Sequence, residues 1–185
     1  NKLWNATRYV LMNVEGHPLA PPAQDGPRSL PDHWIRSRFG AALATVHEQL
    51  AAYRFDLAAR ALYEFTWNEY CDWYLELTKP TLQEGGASPA EQAATRRTLV
   101  DMLEALLRAL HPLTPFITEE LWQRAAPVAG IAGATVMLQP YPAADSFPPD
   151  VTAESEMSWL QGFVLGIRQI RGEMDIPPSR TLPVL

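Results

Sequence analysis

Apolar positions recur at three- and four-residue spacing through most of the chain, the period of amphipathic helices rather than the alternation of strands. Leu3, Thr7 and Val10 form the first buried stripe, with Trp4 and Leu11 beside it, and predict a helix over 1–13. Ile35, Phe39, Ala42/Leu43, Val46, Leu50 and Tyr53 predict a second helix over about 32–53. A third spans 55–80 and carries Tyr63, Trp67, Tyr70, Tyr74 and Leu77 on one line and Leu62, Phe65, Glu69, Asp72 and Glu76 on another. A helix that is aromatic on two sides has to be packed on more than one face, so this element reads as the mechanical centre. Ser88, Pro89 and Glu91 make a helix-start signal, and Leu99, Leu103, Leu106 and Leu110 continue that helix to His111-Pro112. Thr114-Pro115 restarts the chain as a fifth helix with Phe116, Leu121 and Trp122 turned inward. The last helix, over about 152–174, places Met157, Leu160, Val164, Ile167, Ile170 and Met174 inward, and its Gly162 and Gly166 are expected to allow close approach of a neighbour.

The intervening segments read differently. Residues 14–31 are rich in proline and form an irregular loop, and 127–150 are rich in Pro, Gly and Ala, with VMLQPYP as a short extended segment. IPPS breaks the last helix, and RTLPVL has the look of a first strand of a following module. The expected architecture is all-α: an antiparallel bundle of about six helices over 1–174, with one or two short extended segments. Residues 175–185 are then a linker and the start of a truncated next module.

Composition narrows the field. A length of 185 residues with 47% apolar content suits one domain with a real core. No apolar run approaches the roughly 18 residues of a membrane span. The opening NKLWNATRYV has neither Met nor a hydrophobic leader, so the chain is expected to be a piece of something longer. The single Cys71, among aromatic neighbours, suits a buried thiol in a reducing cytosol. Net charge is −6, but residues 1–60 carry seven Lys/Arg against five acids, so a polyanion would meet the N-terminal part.

Candidate chemistry is sparse. No phosphate loop, zinc-finger spacing or nucleophile elbow occurs, and the four histidines are scattered. Glu69, Asp72 and Glu76 lack a histidine or second acidic cluster, so they read as counter-charges for Arg8, Arg36 or Arg38 rather than as a metal site. No residue reads as catalytic. The face of the first helix formed by Lys2, Asn5 and Tyr9, flanked by Arg8, has two readings: a solvated surface, or a small recognition surface combining charge, an amide and a flat ring.

Four stretches, NKLWNATRYVLMN at 1–13, YEFTWNEYCDWYLELTKP at 63–80, HPLTPFITEELWQ at 111–123 and IRQIRGEMDIPPS at 167–179, together resemble the C-terminal anticodon-binding domain of valyl-tRNA synthetases. The corner HPLTPFITEELW is shared among class I synthetases for aliphatic amino acids, and NKLWNATRYV and GEMDIPPS are closer to the valine enzyme. The isoleucine enzyme is the runner-up, with the leucine and methionine enzymes behind it. A free-standing helical protein-interaction domain is the alternative from another class.

The resemblance implies a helical bundle that grips the anticodon stem-loop of tRNA within a cytoplasmic, monomeric parent enzyme. The parent would join valine to tRNA using ATP and Mg. The ATP-binding motifs, editing domain and coiled coil of that family have no counterpart here, so the chain itself is expected to need no cofactor, to hold no metal and to stay off membranes. Family contacts map onto Lys2, Arg8 and Tyr9: Tyr9 to stack on a splayed base, Lys2 on a base edge or phosphate, Arg8 on a phosphate or on the carboxylates of the aromatic helix. Asn5, Asn68, Glu69 and Asp72 are their inferred neighbours. In this reading the carboxylate line keeps the recognition face rigid, and Asp72→Asn should cost stability and tRNA binding together.

Overall fold

In the computed structural model, which describes residues 1–21, 28–177 and 179–181, two serines start two of the longest helices. Ser29 and Ser88 each close a capping box with the acid three residues on, and each is followed by proline in the first turn. They launch α2 (Leu30–Ala51) and α5 (Pro89–Leu110). Side chain and backbone satisfy each other's orphan donors there, so the helices begin sharply. The other elements are α1 (Lys2–Val14), a rod from Phe55 to Leu82, α6 (Pro115–Ala129) and α7 (Val151–Glu173). Six helical rods are thus present among the described residues, as the apolar periodicity predicts. The four residues 182–185, read from sequence as strand, lie outside the described residues, as do 22–27 of the proline-rich loop.

Helix α5 runs through the centre, with Leu99, Val100, Met102, Leu103, Leu106 and Leu107 fully buried. It packs against α1, α6 and the end of the aromatic rod. The rod also packs against α1 and α2, and α2 carries the N-terminal part of α7. The corner between α5 and α6 is tight: His111 Nδ1 lies 2.8 Å from the Thr118 hydroxyl, and the Leu113 and Thr114 amides donate to the Leu110 carbonyl. Gly130 ends α6 in the left-handed conformation (φ 79°), a position glycine occupies without steric cost.

The aromatic rod departs from the expected single α-helix. It consists of α3 (Phe55–Glu64), a π-helical segment (Phe65–Tyr74) and α4 (Leu75–Leu82). Sustained i→i+5 bonding is uncommon, and its effect here is to exchange the two lines read from sequence. Leu62 and Phe65 are buried, but the next buried pair is Tyr70 and Cys71, then Tyr74 and Leu75. In an α-helix the line from Leu62 and Phe65 would continue to Glu69 and Asp72 and carry carboxylates into the core. Five-residue spacing from Phe65 to Tyr70 and from Thr66 to Cys71 keeps apolar surface inside and turns the carboxylates out.

Four further expectations are corrected. Phe116 is 91% exposed, because it lies two residues from the fully buried Thr118 and five from Leu121, on the outer face of α6, whereas Leu121 and Trp122 are buried as expected. VMLQPYP forms no strand: Val136–Leu138 is a 3-10 turn, held to α6 by the Glu119 carboxylate, which accepts from the Thr135 hydroxyl (2.7 Å) and the Val136 amide (3.2 Å). On α7 only Ala153 and Met157 are buried, and Ile170 and Met174 are exposed because the helix runs past the edge of the bundle. Gly162 and Gly166 accordingly have open space around them, not a close neighbour.

Candidate functional site

Helix α1 buries Leu3, Ala6, Thr7, Val10 and Val14, which leaves it one outward ridge and two flanks. The ridge carries Asn5 and Met12, both exposed. One flank faces the aromatic rod and holds Lys2 and Tyr9. The Lys2 ammonium meets the Asp72 carboxylate at 2.6 Å and lies over the Trp67 ring, 4.9 Å from its centroid. Trp67 in turn stacks on Tyr63, with centroids 4.8 Å apart and planes 19° apart. These rings line a groove of about 590 Å³ together with Leu113 and Ile117. Lys2, Trp67 and Asp72 therefore form one cluster, with the exposed Asn68 beside it on the π segment.

Tyr9 is held rather than projecting. Its hydroxyl bonds Thr78 at 2.9 Å, Lys79 approaches its ring at 6.0 Å, and burial raises its pKa above the ordinary phenol value. The other flank of α1 carries Trp4, Arg8 and Glu15 and faces α6 across a second groove. Arg8 makes no hydrogen bond or ion pair among the described residues and is exposed. The expectation that it pairs with carboxylates of the aromatic rod is corrected, since those carboxylates lie on the opposite flank.

The three carboxylates separate in role. Glu69 accepts a two-pronged bond from Arg38 (2.7 and 3.0 Å), and the same guanidinium reaches Glu154 of α7 at 3.4 Å. The Glu69 bond is the main reason that the Arg38 pKa is raised. Asp72 pairs with Lys2 of α1, a lysine rather than one of the expected arginines, and Glu76 pairs with Lys79 on its own rod at 2.7 Å. The expected bracing of the second helix thus falls to Glu69 alone. Arg36 has no such partner: it donates to the Ser146 carbonyl at 3.4 Å and lies over Phe147, and burial lowers its pKa, with Arg28 adding to the effect.

Sequence reading missed two features. Asp32, fully buried at the start of α2, accepts from Tyr74 (2.7 Å), Thr95 (2.8 Å), the Ser29 hydroxyl (2.7 Å) and the Ser29 amide (3.1 Å). Its capping-box position was the available signal. Arg124 of α6 lies over the Trp4 ring at 5.2 Å, a pairing that no local spacing reveals. Among the described residues, no three of His, Cys, Asp and Glu gather where they could hold a metal ion, and no helix is long and apolar enough to cross a membrane.

An all-helical bundle whose first helix offers cations, amides and a partly exposed indole defines a binding module. Comparison with known proteins specifies which. Residues 32–185 match the family described as the anticodon-binding domain of tRNA ligase, and the chain belongs to that family. A valine–tRNA ligase of Acinetobacter baylyi (strain ATCC 33305 / BD413 / ADP1) is 50% identical over all 185 residues. The match covers 100% of this chain and 19% of that protein, so the chain spans about a fifth of its relative's length. Among solved structures, the ternary complex of the Agrobacterium radiobacter K84 LeuRS with tRNA and LeuAMS aligns over 99% of this chain and 23% of that one, at 18% identity and a TM-score of 0.47, a loose likeness.

Proposed function

We propose that the chain is the anticodon stem-loop recognition module of a valine–tRNA ligase. One observation carries the reading: 50% identity to such a ligase along the whole length, within the anticodon-binding family. In this reading the parent enzyme joins valine to its tRNA at the expense of ATP, with ATP and Mg handled in other parts of the parent. The present chain contributes RNA binding and no catalytic group. Residues 1–174 form the bundle that meets RNA, and 175–185 lead into the next module. The parent acts in the cytoplasm as a monomer, and the partners of the bundle are tRNA and the remainder of the ligase.

Contacts with RNA follow from what each side chain has left to offer. Lys2, held against Trp67 by Asp72, keeps further donor capacity for a phosphate or base edge. Asn5 and Asn68 present amides that read base edges, and Arg8 offers a whole guanidinium fork to a phosphate. Tyr9 contributes a ring fixed by Thr78. Glu69 and Asp72 position rather than touch: Glu69 fixes the π segment to α2, and Asp72 orients Lys2.

The net charge of −6 makes binding by the isolated chain weak and strongly dependent on salt. The test is a filter-binding titration of the valine, isoleucine and leucine tRNAs at low salt. Preference for the valine tRNA, weakened by Lys2→Ala, supports the reading. Equal retention of all three, indifferent to Lys2→Ala and Tyr9→Ala, rejects it, and preference for the isoleucine or leucine tRNA moves the chain to a sister ligase.

A further inference from the structure

The groove between α1 and α6 encloses about 650 Å³, within the range of small-ligand sites. Its floor includes Leu121, and its rim carries Trp4, Arg8, Met12, Glu15 and Arg124. Trp4 is 40% exposed and stands between the buried Leu3 and the exposed Asn5. The Arg124 guanidinium covers its ring at 5.2 Å and is anchored from behind by the Glu120 carboxylate. A guanidinium over an indole offers a cationic, aromatic surface on which a flat ligand can stack.

Arg8 stands at the rim of the same groove. Every other arginine within α1 to α6 makes a hydrogen bond or ion pair with the bundle: Arg36, Arg38, Arg60, Arg96, Arg97, Arg108 and Arg124. Among the described arginines of these helices, Arg8 is the one that keeps its fork for something outside. Glu15, the extended C-cap of α1, makes no ion pair with Arg8.

We infer that this groove is a subsite for one unstacked nucleobase of single-stranded RNA, which lies on the Arg124–Trp4 surface while Arg8 holds the adjoining phosphate. The inference rests on the proposed RNA-binding function and adds residues to it: Trp4 and Arg124 on the flank of α1 opposite to Lys2 and Tyr9. An unpaired base suits the site because it offers a flat face for the guanidinium–indole surface and an anion within reach of Arg8, whereas a duplex keeps its bases stacked on one another.

Fluorescence anisotropy of a labelled anticodon stem-loop tests the subsite, with the wild-type chain and the Trp4→Ala, Trp4→Phe, Arg124→Gln and Arg8→Gln variants. Trp4→Ala should weaken binding by about five- to a hundredfold, and Trp4→Phe should restore most of it, since base–aromatic stacking survives the exchange of rings. Arg8→Gln should lower the slope of log K against log salt by about one. A fully paired RNA duplex of the same length should bind wild type and Trp4→Ala alike. The subsite is overturned if the stem-loop binds wild type while Trp4→Ala and Arg124→Gln, folded by circular dichroism, bind it equally well. Absence of any stem-loop binding by wild type removes the underlying function, and the subsite with it.

Discussion

Asp32 and Asp72 are both carboxylates on helices that face a neighbouring helix, and they do opposite work. Asp32 is sealed in the interior, and four donors from Ser29, Tyr74 and Thr95 converge on it. Asp72 is 54% exposed and makes one ion pair, with Lys2. In the low-dielectric interior a carboxylate is tolerated only when its lone pairs are filled, and removing it strands every donor that filled them. At the surface, water competes for both partners, and the pair is worth about 0–1 kcal/mol. The fold therefore depends on the aspartate that sequence reading passed over. The one it singled out orients a lysine at the binding face.

The largest expected effect breaks the interior site. Asp32→Ala should cost about 3–5 kcal/mol, because the Tyr74 and Thr95 hydroxyls and the start of α2 lose their acceptor together. Urea unfolding measures it, and a loss under about 1 kcal/mol would mean that the buried network is not structural.

One residue before Asp72 the same contrast recurs. Burial pushes the Cys71 thiol from 9.0 up to about 11. Because the folded value lies above the unfolded one, the native state holds its proton longer. Cys71 therefore contributes stability in full below pH 9, and that contribution is lost as pH rises through about 11. Two units correspond to about 3 kcal/mol in order of magnitude. Urea midpoints of wild type and Cys71→Ala across this window should converge toward high pH, and a constant difference would place the thiol in solvent.

The half-buried Arg38 fork lies between these extremes. Arg38→Met should cost about 1 kcal/mol and loosen the seam where α2, the π segment and α7 meet. Faster amide exchange confined to those elements is the expected signature. The smallest effect belongs to Asp72→Asn, which should shift stability by no more than about 0.5 kcal/mol and weaken RNA binding slightly, since Lys2 loses the carboxylate that orients it. A large stability loss would restore the bracing role that the carboxylate line suggests in sequence.

Helix positions were legible because three- and four-residue spacing and start signals such as Ser88-Pro89-Ala90-Glu91 are local properties. The π segment was not: an i, i+3, i+4 template places Glu69 and Asp72 in line with Phe65, and only the five-residue step from Phe65 to Tyr70 separates them. Phe116 misled for a related reason. Apolar character states what burial would gain, not which face of the helix a residue occupies: Phe116 lies five residues before Leu121, outside the i, i+3, i+4 line. On the candidate site, the family resemblance put Asp72 near Lys2, and the structure pairs the two at 2.6 Å. Trp4 with Arg124 was illegible, because residues 120 apart in sequence share no pattern.

The central claim is that α1 and the outer face of the π segment meet RNA. Hydrogen–deuterium exchange of the chain with and without a valine-tRNA anticodon stem-loop tests it most directly. The account predicts slowed exchange over Lys2–Val14 and Phe65–Tyr74, with α2 unchanged. Slowing confined to α7 or to the Val136–Leu138 turn, or no slowing under conditions where the RNA is bound, would contradict it.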